Sequence, residues 1–399
     1  MRLTVKEKQK ATKITAARYQ KAAKKKKGTI LDEFIELTGY DRCYASYLLK
    51  NHGRKVRINN KVIVIGDIRK RHKRHRRSTY GYDVLRALKQ IWVIMDCICG
   101  KRLRPMLKEI LVILQRHKEI KVTREIKKKL LRISASTIDR ILKPERKKYE
   151  LKGRSLTKPG TLLKHQIPIR TFSDWNEQRA GFVEIDLVGH EGGNPRGDFI
   201  QTLNVTDVCT GWTEMQAVKN KAQIWVFEAL KDIRGKLPFD LLGIDSDNGG
   251  EFINDQLVRF CHEEQITFTR SRSYRKNDNC FIEQKNYTIV RRYVGYARYD
   301  TEIAQKLLNE LYGYLRLYVN FFQPVMKLIQ KTRIGSRVRK KYDEPQTPYQ
   351  RVVVSPFVPE NKKEILRQQY AQLNPADLRR QIAKLQDKLL KITDRTNLT

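Results

Sequence analysis

A chain of 399 residues, 40% of them hydrophobic, fills two to four ordinary domains. It has no run near the roughly 20 apolar residues of a membrane span, and no apolar stretch follows its basic start MRLTVKEKQKATK, so neither a membrane partner nor a signal peptide is expected. Six scattered cysteines (Cys43, Cys97, Cys99, Cys209, Cys261, Cys280) form no disulfide pattern and predict a reducing, cytoplasmic compartment. The net charge of +40 is uneven: +29 over residues 1–150, −3 over 181–300 and +10 over 301–399. Basic arms around a carboxylate-rich centre point to a polyanionic partner, because each neutralised phosphate releases counterions.

Residues 1–66 are expected to form an all-α helix-turn-helix module. The Lys-rich start, to Lys27, fits a helix or an arm. Ile30, Leu31, Phe34, Ile35 and Leu37 follow at helical spacing, Gly39 breaks the pattern and Asp41 can cap a second helix. Placed in a major groove, that second helix would offer Arg42, Tyr44, Tyr47 and Lys50 to DNA. Residues 67–81 form a basic linker whose Arg71, Lys73, Arg74 and Arg76 would track phosphates. Residues 82–148 are expected to form a second helical module, with helices near 82–95, 105–115, 122–131 and 135–142. The last two form another helix-turn-helix candidate, with Ser134 as N-cap, Pro144 as stop and Ser136, Thr137 and Arg140 towards DNA. Residues 149–180, rich in Pro and Gly, connect this module to the central part of the chain.

From 181 to 300 the pattern changes to strands at 182–188, 198–207 and 211–218, a helix, a strand at 241–247, a helix, a strand at 265–270 and a helix from 279. Three strands, helix, strand, helix, strand, helix is the order of an α/β ribonuclease H-like fold, in which the first and fourth strands are neighbours. Asp186 then lies on the first strand, Asp247 just beyond the fourth and Glu283 in the first turns of the last helix. Converging carboxylates are hard oxygen donors for Mg²⁺, and two cations so held can stabilise the attacking and leaving oxygens of a phosphodiester displacement.

The motifs FVEIDLVGH, IDSDNGGEF and KNDNCFIEQKN, with 35 residues between Asp247 and Glu283, resemble the catalytic core of bacterial insertion-sequence transposases, relatives of retroviral integrases. The resemblance spans about 182–299 and extends to NFFQPVMKL and YDEPQTPYQR. It implies that Asp186, Asp247 and Glu283 bind two Mg²⁺ ions (Mn²⁺ as a substitute) in each active site. It further implies cleavage at an element end, attack of the freed 3′-hydroxyl on target DNA, and a homo-oligomer on paired double-stranded ends in a bacterial nucleoid. The alternatives are a nuclease of this fold that does not join, or a DNA-binding regulator with an inactive core.

Glu184 and Asp245 sit two residues before the chosen aspartates, on the same strand faces, and Glu251 is close in sequence; the motif selects Asp186 and Asp247 over them. His190 suits either a substrate contact or a structural role. Asn248, Gly249 and Gly250 would let backbone approach the site. Arg272, Arg275 and Lys276 would form a basic loop over DNA. Asn286, Tyr287 and Val290 share the helical face of Glu283, and Asn286 and Arg291 are assigned to DNA. The lysines that some integrases carry on this face are missing, leaving Lys285, Arg291 and Arg292 as substitutes. Cys97-Ile98-Cys99 lacks the spacing of a zinc site, so no structural zinc is expected.

Residues 301–399 are expected to hold a basic extended or small β region, TRIGSRVRKKYD, followed by a helix capped by Asn374 with Pro375 at its first position. Its stripe Leu378, Ile382, Leu385, Leu389, Ile392 suits self-association or packing on the same chain.

Overall fold

The computed structural model describes residues 3–58, 61–65, 79–146, 179–247, 249, 251–252, 254–270 and 280–396. The basic stretch carrying Arg71, Lys73, Arg74 and Arg76 and the loop carrying Arg272, Arg275 and Lys276 lie outside them. The chain divides into two compact units, Met1–Thr79 and Tyr80–Thr399.

In the first unit the Lys-rich start is a helix, α1 (Val5–Lys21), begun by a capping box in which Thr4 and Glu7 bond reciprocally. Helix α2 (Lys24–Thr38) stops at Gly39, whose φ of +63° is left-handed. Asp41 Oδ1 then accepts the Cys43 and Tyr44 amides at 2.9 and 3.2 Å and opens α3 (Arg42–Asn51). Ala16, Leu31, Phe34, Ala45 and Leu49 close a small core between the three helices. An antiparallel hairpin follows, β1 (Arg54–Ile58) and β2 (Lys61–Ile65), where the sequence pattern predicts helices alone. The β-branched run Val62–Ile65 was the signal for it.

The second unit opens with α4 (Tyr82–Ile94), α5 (Gly100–Arg116), α6 (Arg124–Arg132) and α7 (Ala135–Arg146). Helix α5 starts five residues before Pro105 because Asp139, from α7, accepts the Gly100 amide at 2.8 Å; a cap supplied by another helix leaves no local sequence mark. Ser134 caps α7 as expected, accepting the Thr137 amide at 3.2 Å. Helix α7 nevertheless runs through Pro144 to Arg146, whose guanidinium holds Asp139 at 3.0 Å and the Ile98 carbonyl at 3.4 Å. A proline in the last turn removes one backbone bond, and these contacts offset it.

The central sheet contains β3 (Phe182–Gly189), β4 (Gln201–Asp207), β5 (Thr213–Val218), β6 (Gly243–Ser246) and β7 (Thr267–Arg270) in the spatial order β5-β4-β3-β6-β7. The first three strands are antiparallel, and β6 and β7 continue parallel to β3. Helix α8 (Gln223–Lys236) joins β5 to β6, and α9 (Asp255–Glu263) joins β6 to β7. This mixed sheet, in order three-two-one-four-five, is the ribonuclease H-like arrangement expected from the sequence. Beyond it come α10 (Cys280–Lys285), a π-helical turn (Asn286–Arg291) and α11 (Arg292–Val294).

The C-terminal part is more helical than expected: α12 (Glu302–Phe322), then a hairpin β8 (Leu328–Ile334) and β9 (Arg337–Tyr342), then α13 (Pro348–Val354), α14 (Glu360–Gln372) and α15 (Pro375–Thr396). Leu378, Ile382, Leu385 and Leu389 of α15 are buried in the unit's own core, where α15 packs along α12. Among the described residues no helix is long and apolar enough to cross a membrane.

Helix α12 covers the edge strand β5 with side chains that mimic a neighbouring strand. Asn320 accepts the Thr213 amide at 2.9 Å and donates to its carbonyl at 2.8 Å, and Asn309 treats Ala217 the same way at 2.8 and 3.2 Å. An edge so covered is shielded from pairing with another strand. Between them, Arg316 forks onto the buried Glu214 carboxylate through two bonds of 2.6 Å, and the Trp212 indole donates to it at 2.8 Å. Replacing Arg316 by Met leaves Glu214 buried without its cation. We expect a loss of about 3–5 kcal/mol in denaturant unfolding, and recovery of much of it in the Arg316→Met/Glu214→Gln double variant.

Candidate active site

Strand register places the first two carboxylates side by side. Ile185 pairs with Ser246 in the parallel β3–β6 ladder, so the next residues, Asp186 and Asp247, emerge together at the end of β6. On the other flank Asp186 is opposite Asn204 of β4. Asn286, one turn past Glu283, links the two, donating to Asp186 Oδ2 at 2.6 Å and accepting from Asn204 Nδ2 at 2.7 Å. Asp186 Oδ1 accepts the Leu187 amide at 2.8 Å. Asp247 Oδ1 accepts the Gly249 amide, also at 2.8 Å. A Cβ at Gly249 would fall 2.9 Å from that oxygen and 2.7 Å from the Glu251 carboxyl carbon, so a side chain there would displace these two carboxyl groups.

Burial pushes the Asp186 carboxyl well above its ordinary range, and the charges of Asp247 and then Glu283 push it further. Burial raises Asp247 too. Glu251 is raised by burial, with Asp247 adding repulsion. The structure therefore brings Asp186 and Asp247 together and sets Glu283, itself exposed, within electrostatic reach in the first turn of α10. Among the described residues no three carboxylate, imidazole or thiolate groups gather closely enough to hold a metal ion. The donor set fits a hard divalent cation in kind. Its oxygens repel one another, and the donors that orient Asp186 and Asp247 are neutral amides, which supply no competing cation.

The rival carboxylates have separate tasks. Glu184 is fully buried and accepts the Ile282 amide at 2.7 Å, tying the start of α10 to β3. Asp245, its neighbour across the β3–β6 ladder, accepts the Thr269 hydroxyl. Sequence periodicity could not separate Glu184 from Asp186, because both face the same side of β3. The part played by Asn204 was also missed; its only trace was a polar side chain in the wholly buried strand β4.

The π turn alters the face expected to follow Glu283. Wider winding leaves Asn286 half-buried against Asp186, Tyr287 exposed and Val290 buried. Lys285 Nζ bonds the Gly211 carbonyl at 3.0 Å, and burial, with the charge of Arg102 beside it, lowers its pKa to about 7. Arg291 bonds the Gly189 carbonyl at 2.7 Å and lies over the Tyr296 ring, and Arg292 pairs with Asp96 at 3.0 Å. Among the other assigned residues, Arg42 pairs with Asp32, while Tyr44, Tyr47 and Lys50 are exposed along α3. On α7, Ser136 and Arg140 are exposed and Thr137 is half-buried.

No family model matches the chain. Over 334 residues it is 39% identical to "Uncharacterized protein y4rM" of Sinorhizobium fredii, covering 84% of this chain and 91% of that protein. The chain belongs to the y4rM family. Among solved structures, this y4rM-family chain overlaps two retroviral integrase catalytic cores in part. The HTLV-2 core in complex with magnesium (dimeric form) matches at TM-score 0.28 and 13% identity, over 37% of this chain and 91% of that one. The BIV core matches at TM-score 0.29 and 15% identity, over 48% and 98%. The strand order above, rather than these overlaps, identifies the sheet.

His190 is structural in this y4rM-family fold. It is fully buried, shares a 2.7 Å hydrogen bond with Thr202, which in turn bonds Tyr312 at 2.6 Å, and its ring meets Tyr299 edge-on. Burial, with the charge of Arg291 second, lowers its pKa to about 3. The unfolded chain titrates nearer the ordinary value of about 6.5, so below that pH it takes up a proton that the folded chain refuses. The stabilisation is whole above pH 6.5 and is lost as pH falls towards 3. In His190→Gln, the drop in unfolding free energy between pH 7 and pH 5 should shrink by roughly 2 kcal/mol; equal drops in both proteins would refute a buried neutral imidazole.

Proposed function

We propose that this chain is a DNA transposase of the integrase type, cutting DNA at the ends of an insertion element and joining the freed 3′-hydroxyl to a target. The observation that carries the reading is the register that sets Asp186 beside Asp247 in a ribonuclease H-like sheet, within electrostatic reach of Glu283. The net charge of +40 supports a polyanionic substrate.

Asp186, Asp247 and Glu283 would hold two Mg²⁺ or Mn²⁺ ions, which supply activation of the attacking oxygen and charge stabilisation of the leaving one. The protein's own residues set up that chemistry. Asn286 fixes the rotamer of Asp186. The Gly249 amide fixes Asp247. Glu184 holds the first turn of α10, and with it Glu283. The exposed Tyr44, Tyr47 and Lys50 of α3, and Ser136 and Arg140 of α7, are the side chains we assign to element-end recognition. The chain would act as a homo-oligomer, because joining two ends to one target needs two active sites on paired DNA.

The test uses the full chain and duplexes carrying the DNA that flanks its gene. Asp186→Asn should lower cutting and joining by about a thousand-fold or more, as loss of several kcal/mol of charge stabilisation implies, with duplex binding within a few-fold of the parent. Undiminished cutting by Asp186→Asn would sink the assignment. Asn286→Ala, which keeps all three carboxylates, should cost about 10–100-fold in activity, and higher Mn²⁺ should recover part of it. A purely structural Asn286 would give no such metal dependence.

A further inference from the structure

The hairpin β8–β9 stands out among the described strands. Every residue of β9 is exposed. Ile334, Val338 and Tyr342 are 59%, 46% and 44% exposed, so neither face of the ribbon is packed on the core. Residues 328–342 contain no Asp or Glu. Arg333, Arg337, Arg339, Lys340 and Lys341 are exposed, and among the described residues none of them has an ion pair. A two-stranded ribbon is marginal alone, and here its own like charges oppose it.

The register shows how these cations are distributed. Arg337, Arg339 and Lys341 are opposite Ile334, Thr332 and Gln330, on one face, at alternate positions roughly 7 Å apart. Arg333, opposite Val338, shares the other face with Lys340. Cations on both faces do not suit a flat anionic surface, which touches one face only. They suit a cleft with anionic walls on both sides. The major groove of B-form DNA is such a cleft, about 12 Å wide, and it admits a two-stranded ribbon.

The root of the ribbon is firmly held. Lys327 and Asp343 bond through the Asp343 amide at 3.0 Å and the Lys327 amide at 2.6 Å, and Arg351 holds the Asp343 carboxylate at 2.6 Å. Lys327 Nζ reaches the Cys209 carbonyl at 2.7 Å, in the turn between β4 and β5. That turn is fixed by the buried Asp207, which accepts the Gly181 amide and both the amide and hydroxyl of Thr210 at 2.6–2.8 Å. The same turn receives Lys285, two residues past Glu283. The ribbon and the helix bearing Glu283 are thus bonded to the same turn.

We propose that β8–β9 is a DNA-binding arm that enters the major groove of a duplex held at the carboxylate site, with Arg337, Arg339 and Lys341 on one phosphate wall and Arg333 and Lys340 on the other. This rests on the transposase reading for the identity of the polyanion. The test compares the full chain with an Arg337→Gln/Arg339→Gln/Lys341→Gln variant, and with the matching variant in which both arginines become Lys. Each is titrated on a labelled 30-base-pair DNA duplex by fluorescence anisotropy at several salt concentrations. The glutamine variant should unfold at the parent's midpoint. Its plot of log affinity against log salt should be shallower by about 2–3, near 0.9 for each phosphate no longer neutralised, and the lysine variant should keep the parent slope. A parent that binds but a glutamine variant with an unaltered slope would sink the arm alone. So would an unaltered slope with a changed molecular mass in light scattering, which would make the ribbon an interface between copies. An equal loss on a duplex RNA, whose major groove is too narrow, would overturn groove insertion. A parent that binds no duplex would sink the transposase reading together with the arm.

Discussion

The pairing of β6 with β3 is the constraint on which the site depends. Two parallel strands in one register set two rows of carboxyl groups, Glu184 with Asp245 and, one pleat further, Asp186 with Asp247. The inner row is fully buried and bonded to the Ile282 amide and the Thr269 hydroxyl; the outer row is half-buried at the end of the ladder. A slip of β6 by one residue along β3 would turn β6 over, so Asp247 would face away from Asp186 and Asp245 from Thr269. The apolar residues on the opposite face of the two strands, Val183, Ile185 and Ile244, are all buried and resist that slip.

A second consequence is electrostatic. In so basic a chain a cluster of carboxylates would ordinarily gather cations, and three that follow Glu283 in the chain are held elsewhere. Lys285 bonds the Gly211 carbonyl, Arg291 the Gly189 carbonyl, and Arg292 pairs with Asp96. Among the described residues the hydrogen-bond donors to Asp186 and Asp247 are amides: Leu187 and Gly249 from the backbone, and Asn286 from a side chain. Neutral donors orient an oxygen without supplying a counter-charge, so they leave uncompensated the burial that raises both aspartates and the repulsion that raises Asp186 further. Guanidinium groups in those positions would have made a stable ion-pair network with nothing left over for a cation.

How much of the fold was legible in the sequence depends on the range of each interaction. The core strands could be read because alternation, β-branched residues and glycine stops act locally, and the neighbouring of β3 and β6 came from the order of elements. Asp186 and Asp247 could be picked out only by motif, since Glu184 and Asp245 obey the same period. Effects reaching across the fold were invisible. Asp139 starts α5 from another helix, the π turn moves Tyr287 away from Asn286, and α12 exists as a lid for β5 although its own 3.6-residue stripe, Leu308, Leu311, Tyr312, Leu315, was there to be read. The heptad stripe of α15 fits two partners by period alone, and of these two readings the structure shows packing in the same chain.

The coverage of β5 also explains where the rest of the molecule can grow. With α12 bonded along that edge, the sheet cannot extend by adding strands there, so the chain leaves α12 and turns back beside the β4–β5 turn before forming β8. The turn is stiffened from within by Asp207, whose carboxyl is raised by burial yet bonded by three donors. It is loaded from one side by Lys285 and from the other by Lys327. The root of the ribbon and the residue before Asn286, which meets Asp186, are thus bonded to carbonyls of one turn. Fixing the geometry of the carboxylates and anchoring the exposed arm are, in this fold, one structural problem with one solution.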